Sequence, residues 1–468
     1  MKKLVLLALI ALALIVLGCA TPTAVPTKAP LPTAAVPPTM PPTAVPKPTE
    51  APKPTEAPKP TVAPTAVPAT AAPAALKCDK TLKVGLIGDY SGALASYGTM
   101  QKRSFLLGLE YMAGAPAKDG VFKVGDCSIQ VIDKDDKGDV NTTATVARQL
   151  IEVDKVDILV GTVSSGGTAT LQGLAKDNKK VLIVNPAAAN DITGKDFNEY
   201  TFRTSRNNYQ DMINLCQYLT TKYKSFVQIA PDYAFGRGGA GSARDACTKF
   251  GGTFPKDDIF APLDTKEFTP YLDQVAKSGA QALIVTWAGA GFVPMFKTAR
   301  EMGVFDKVAL AASVADNATV PLYVDALGTN SGILYHYTLP KNAINDWLVK
   351  ETIARYKTPP DLFDGDGMNA AIMFVEGLKK SGGKYDSDSL IKAFEGLEFN
   401  GPKGKVQIRP EDHVAIQDMY IVKILNVTDK DFKFFELTST TRPEPPCLLP
   451  DALKARCGKL PFGTLSGK

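Results

Sequence analysis

Leu82-Lys83-Val84-Gly85-Leu86-Ile87-Gly88-Asp89-Tyr90-Ser91-Gly92 is an apolar, β-branched run that breaks into a turn of small and polar residues. The apolar part has the length of a strand, and residues 97–112 after it carry apolar side chains at helical spacing. The unit recurs. Residues 129–133, 156–161 and 181–185 read as strands, with helical patterns at 140–153 and 168–178 between them. The rhythm restarts after Arg206, with strands at 225–230, 282–287 and 307–312 and helices at 237–250 and 292–302. Two runs of strand–helix–strand units predict an α/β protein with two doubly wound, mainly parallel sheets, each covered by helices.

Ligands of such folds sit at the ends of parallel strands, where helix N-termini bring free amide donors together. The small-residue segments fall at those ends: Gly88 to Gly92, Gly161-Thr162-Val163-Ser164-Ser165-Gly166-Gly167-Thr168, Asn185-Pro186-Ala187-Ala188-Ala189 and Trp287-Ala288-Gly289-Ala290-Gly291. That placement predicts a cleft between two lobes.

The chain has 468 residues, with 53 Lys and Arg against 48 Asp and Glu. Residues 1–77 hold seven lysines and two glutamates, so the whole excess of +5 lies there and the rest is neutral. A balanced body argues against a nucleic-acid partner, which needs a dense basic face. Residues 1–18 read as a secretory leader: Lys2 and Lys3, an unbroken apolar run, then Gly18 before Cys19. The ending Val16-Leu17-Gly18-Cys19 resembles a bacterial lipobox, which implies acylation of Cys19 and anchoring to the outer face of a bacterial membrane. An uncleaved anchor with an incidental cysteine is the alternative. Residues 19–77 then form the anchor and a proline- and threonine-rich spacer. Proline fixes φ and removes amide donors, so an extended tether is expected.

Six cysteines remain, an even number suited to an oxidising compartment, and fifteen pairings are possible. Cys78 with Cys127, Cys216 with Cys247, and Cys447 with Cys457 is the pairing favoured here. There is no CxxC, and His336 and His413 stand alone, so no metal or other cofactor is expected. Asp133-Lys134-Asp135-Asp136-Lys137-Gly138 lacks the oxygens a calcium loop needs at its fifth and twelfth positions. No phosphate-binding glycine loop and no nucleophile elbow is present, and two isolated histidines make a serine triad improbable. Catalysis is not expected.

The opening run, with Ala95-Ser96-Tyr97-Gly98 after it, resembles the start of ABC-transporter substrate-binding proteins of the leucine/isoleucine/valine-binding type. The likeness continues through Val156-Asp157-Ile158-Leu159-Val160-Gly161, Tyr200-Thr201-Phe202-Arg203-Thr204-Ser205 and Pro231-Asp232-Tyr233-Ala234-Phe235-Gly236. Ala299-Arg300-Glu301-Met302-Gly303 and Phe399-Asn400-Gly401-Pro402-Lys403-Gly404 extend it. The resemblance implies a type I periplasmic-binding fold: one lobe of residues 78–206 and 338–410, a second of 207–337 and 411–440, and an extension at 441–468. Three crossovers are implied, near 204–207, 335–339 and 409–416. It also implies a monomer that captures a small solute and hands it to an ABC permease.

Carried over residue by residue, the family's pocket falls on Tyr97, on the serine turn Ser164 and Ser165, and on Ala188 and Ala189. In the second lobe it falls on Tyr233, Phe235, Trp287, Ser313 and Asp316. Two departures stand out. Ala189 leaves no hydroxyl where amino-acid-binding members carry threonine, and Ser313 replaces the glutamate that receives the ligand's ammonium. A buried ammonium without a carboxylate is costly, so the ligand is expected to be a carboxylate lacking the amine, or an amide-like solute, unless Asp316 substitutes. A ligand-sensing module for a membrane receptor and an anchored hydrolase acting through Ser165 are the alternatives.

Overall fold

The computed structural model describes residues 76–313 and 315–467, so the leader, Cys19 and the tether up to residue 75 lie outside the described residues. The opening run is β1 (Thr81–Gly88), buried on both faces, which explains why its sequence does not alternate. It is followed by α1 (Ala95–Ala113), the hairpin of β2 (Val121–Val124) and β3 (Cys127–Asp135), α2 (Val140–Arg148), β4 (Ile158–Val160), α3 (Ser165–Asp177), β5 (Leu182–Val184) and β6 (Thr201–Arg203). These strands form one sheet in the order β2-β3-β1-β4-β5-β6, parallel throughout except for β2. The helix expected at 140–153 ends at Arg148 and continues as a wider π turn, Gln149–Val153.

Two devices set the turn from β1 to α1. The Asp89 carboxylate accepts the backbone N–H groups of Ser91 and Leu94, at 3.2 and 2.9 Å, and that of Gly92 between them. A Cβ on Gly98 would lie 1.8 Å from the Asp89 carbonyl, so only glycine lets the helix approach the strand end this closely.

After β6 the chain enters α4 (Asn208–Lys222), whose start is fixed by a reciprocal capping box between Asn207 and Gln210. Then come β7 (Phe226–Pro231), α5 (Ala234–Lys249), β8 (Ile259–Ala261), α6 (Thr269–Ala276), β9 (Ala282–Val285), α7 (Phe292–Glu301) and β10 (Ala309–Leu310). The second sheet runs β10-β9-β7-β8, all parallel. β7 and α5 repeat the close approach of β1 and α1, since a Cβ on Gly236 would stand 1.9 Å from the Pro231 carbonyl.

β11 (Asn330–Ile333) precedes α8 (Ala343–Tyr356), α9 (Asp364–Lys380) and α10 (Ser387–Phe394). β12 (Glu398–Gly401), β13 (Gly404–Ile408) and β14 (Ala415–Ile416) form a small antiparallel sheet. β15 (Met419–Ile424) and β16 (Phe435–Thr441) join β11 in another. Met368, Met373 and Phe374 of α9 and Val406 and Ile408 of β13 share a buried core with Leu82 and Val84 of β1. Ile333, Val422 and Ile424 share a core with Val227 and Ile229 of β7. The fold is thus two parallel-sheet lobes between which the chain passes three times. The third passage falls beyond Ile416, because Ala415 is buried with the first lobe's core.

Disulfides join Cys78 to Cys127, Cys216 to Cys247 and Cys447 to Cys457. Among the described residues no helix is long and apolar enough to cross a membrane.

Candidate functional site

A cavity lies where the strand ends of the two sheets face each other, with about 90 Å³ open to the centre of a water-sized sphere. One water needs about 10–15 Å³ by that measure, so there is room for a solute of several heavy atoms.

The first lobe supplies Tyr97, Ser165, Pro186, Ala187 and Ala188 to the wall. Tyr97 is buried against the edge of Phe363, with ring centroids 5.0 Å apart, and its hydroxyl accepts the Gly289 N–H of the other lobe at 3.3 Å. Burial pushes its phenol well above the ordinary range. Ser165 opens α3, and its Oγ accepts the Ala189 N–H at 3.2 Å, which leaves the hydroxyl proton free to donate. Ser164 and Ala189 stand behind this wall: the Ser164 side chain caps α3 by accepting the Gly167 N–H.

Tyr233, Phe235, Trp287 and Ser313 line the cavity from the second lobe, beside Thr286 and Phe292. The Thr286 hydroxyl and the Trp287 indole N–H are buried and without partners among the described residues. Asp316 does not line the cavity. One of its oxygens accepts the Thr319 N–H at 3.0 Å, and burial holds its carboxyl above the usual range. Next to it, Asp361 reaches across the lobes to accept the Asn317 N–H at 3.0 Å; burial, then Asp316, pushes its carboxyl up to about 8.

The sequence reading did not single out Arg206, Asn208 and Asp211, which also line the cavity. Arg206 lies within the expected crossover at 204–207, and Asn208 and Asp211 open α4 just after it, so that crossover was the available signal. Arg206 Nε donates to both Asp211 oxygens, at 3.1 and 3.3 Å, and Nη1 donates to the Pro186 carbonyl at 2.9 Å and Ser205 Oγ at 3.4 Å. Its guanidinium lies over the Phe363 ring, 5.1 Å from the centroid. Asn208 is fully buried, and neither side-chain amide atom has a partner among the described residues.

Beneath these residues is a buried ionic network. Ser205 Oγ donates to Asp366 at 2.8 Å, and Lys403 stands 4.0 Å from the same carboxylate. Burial lowers the Lys403 ammonium to about 8, with Asp366 opposing. Arg203 is fully buried and donates to the carbonyls of Ala187, Ala189 and Arg206, at 2.7, 2.6 and 3.2 Å. Burial first, then Arg206, lowers its guanidinium to about 9. Four helices present their first or capping residues to the cavity: Ser165 of α3, Asn208 of α4, Tyr233 before α5 and Phe292 of α7. Their convergence makes the site favourable to negative charge. Among the described residues no group of three or more His, Cys, Asp and Glu is placed to hold a metal ion.

A family model for periplasmic binding proteins matches residues 81–430. The Leu/Ile/Val-binding protein homolog 6 of Brucella melitensis is 26% identical over 372 residues, covering 76% of this chain and 92% of that relative. The crystal structure of an ABC-type branched-chain amino acid transporter from Rhodopseudomonas palustris is 32% identical, with a TM-score of 0.64, covering 77% of this chain and 96% of that one. A solute binding protein of an ABC transporter from the same species, in complex with 3,4-dihydroxybenzoic acid, is 26% identical. Its TM-score is 0.66, with 77% of this chain and 97% of that chain covered.

Proposed function

The chain belongs to the periplasmic binding protein family, and from that membership and the cavity we propose that it is the extracytoplasmic solute-binding component of an ABC importer. It captures a small carboxylate or amino-acid-like solute between its lobes and delivers it to a membrane permease, without catalysis. The observation that carries this reading is a cavity closed from both sides, with Tyr97 and Gly289 in contact across it and unpartnered polar atoms in its wall. A solute contacting both lobes gives the closed state contacts that the open state lacks. Tyr97, Ser165, Ala188, Tyr233, Phe235, Trp287 and Ser313 are read as touching the solute, while Ser164, Ala189 and Asp316 shape the wall from behind. The relatives named for branched-chain amino acids and the neighbour holding a dihydroxybenzoate support a small organic acid or amino acid.

A thermal-shift screen of branched and aromatic amino acids, their deaminated acids and short amides tests the reading. A solute at a hundredfold excess over Kd stabilises the folded state by about 2.7 kcal/mol, enough to read as a higher Tm. No stabilisation by any of them would overturn it. We also read Cys19 as acylated, with residues 20–77 as a tether. Cys19→Ala should then release the protein from membranes; retention would refute the anchor.

A further inference from the structure

The hydrogen-bonding capacity left open at the cavity is weighted toward donors. Arg206 is about nine-tenths buried, and its Nε and Nη1 are committed to Asp211, Pro186 and Ser205, whereas Nη2 makes no hydrogen bond among the described residues. The unpartnered Trp287 indole can only donate. On the acceptor side, the single carboxylate of the wall, Asp211, already has both oxygens on Arg206 Nε. Asp316 and Asp361 are turned to backbone N–H groups and do not line the cavity.

Charge points the same way. Arg203, Arg206 and Lys403 face two carboxylates, Asp211 and Asp366, so the network under the cavity carries one unmatched cation. Of the carboxylates just beyond it, Asp412 pairs with Arg409 and Asp418 with Arg442, while Asp316 and Asp361, without an ion pair among the described residues, bear on Tyr97 and are pushed toward their neutral form by burial. The unmatched charge and the four helix N-termini add in the same direction.

We propose that Arg206 Nη2 anchors the solute's carboxylate at the crossover, and that the solute is a monocarboxylate with an apolar body and no α-ammonium. The inference rests on the cavity being the solute site. Ser165 then contributes a secondary hydroxyl, and Asp211 is a positioning residue that holds the guanidinium over Phe363. The body of the acid lies among Tyr97, Phe235, Trp287 and Phe292.

Calorimetric titration of the full chain with matched sets tests this: 3-phenylpropanoate, phenylalanine and 3-phenylpropanamide, and 4-methylpentanoate, leucine and 4-methylpentanamide. Acids should bind at least about tenfold more tightly than the matching amide or amino acid, the size of one charge-assisted hydrogen bond. Arg206→Gln combined with Asp211→Asn removes both charges together and should reverse the preference of acid over amide. Where that double variant fails to fold, Arg206→Lys keeps the charge and loses the planar fork, and the acid should weaken about tenfold while the amide does not. Amino acids binding best, with Arg206 variants unaffected, would overturn the anchor and leave the solute-binding reading standing. No binding by any member would overturn both.

Discussion

The phenol oxygen of Tyr97 accepts the backbone N–H of Gly289 at 3.3 Å, and the two residues stand on opposite lobes. Gly289 has φ of 72°, and a Cβ there would meet the Ala93 carbonyl of the facing lobe at 2.5 Å. The lobes therefore meet with almost no space at this point.

Removing the hydroxyl tests how much that contact contributes to closure. Tyr97→Phe keeps the ring against Phe363 and deletes one hydrogen bond of about 0.5–1.5 kcal/mol. Solute affinity should fall about threefold to tenfold, while the urea midpoint of the free protein stays within error. An unchanged Kd would show that the bond is irrelevant to capture.

Gly289→Ala addresses the same place from the other side. The added methyl strains the positive φ and would stand 2.5 Å from the Ala93 carbonyl in this arrangement, a collision that parting of the lobes should relieve. The variant should fold, bind solute more than tenfold more weakly, and show in small-angle scattering a solute-bound radius close to that of its free state. A normal compaction on binding would exclude the collision.

Much of the architecture could be read in the chain because strands buried on both faces are written as unbroken apolar runs. β1, β7 and β9 lie within a residue or two of where their runs place them. The favoured disulfide pairing matches the structure, with Cys78 and Cys127 at the start of neighbouring strands and Cys216 and Cys247 on helices flanking β7, whereas Cys447 and Cys457 were matched only by their short separation. The site was only half legible. Small-residue turns at strand ends place Ser165, Ala188 and Trp287 at the cavity, whereas Arg206 and Asp211 lie past a strand, and their role depends on which way the chain turns between lobes. The burial of Asp366 and Lys403 was illegible, since a lone charged residue in a helix or turn ordinarily faces water.

Among the described residues Arg203 has no acidic partner in hydrogen-bond contact, and it binds three carbonyls that shape the cavity floor. Arg203→Met should remove those bonds and leave the Ala187 and Ala189 carbonyls without this donor, at a cost of about 1–3 kcal/mol for each buried group left unsatisfied. A loss of several kcal/mol in urea unfolding is expected. A variant as stable as the parent would show that the floor relaxes around the loss.

His336 makes stability depend on pH. It is buried between Tyr337 and Phe435, with Nδ1 2.7 Å from Thr338 Oγ1, and burial lowers its imidazole to about 4 from 6.5. Between those values the unfolded chain holds the proton and the folded chain does not, so stability falls as pH drops from 6.5 toward 4. The full span is about 3 kcal/mol. His336→Phe should flatten that part of the profile relative to the parent when both are unfolded in urea across the range. Parallel profiles would locate the acid sensitivity elsewhere.

The C-terminal segment is tied to both lobes beside the crossovers. On the first, Arg456 donates to the carbonyls of Pro410 and Glu411, each at 2.7 Å, and pairs with Glu395. On the second, the Leu465 N–H donates to Asp245 at 2.9 Å, and Leu448 packs against the cluster that holds Cys216 and Cys247. Between these ties the Pro443 and Pro445 carbonyls accept from Gln210 and Arg409 at 3.3 and 2.9 Å, and the Cys447–Cys457 bridge closes the turn. Hinge motion would have to stretch this segment or break its contacts, so it is expected to limit how far the lobes part. Removal of residues 443–468 should enlarge the radius of gyration of the free protein and leave the solute-bound radius nearly unchanged, with faster solute exchange. Should the truncated chain fail to fold, Cys447→Ser with Cys457→Ser loosens the same turn at a cost of about 2–3 kcal/mol, and the same widening of the free state is expected. Identical scattering from the parent and the loosened protein would show that the crossovers alone set the range of opening.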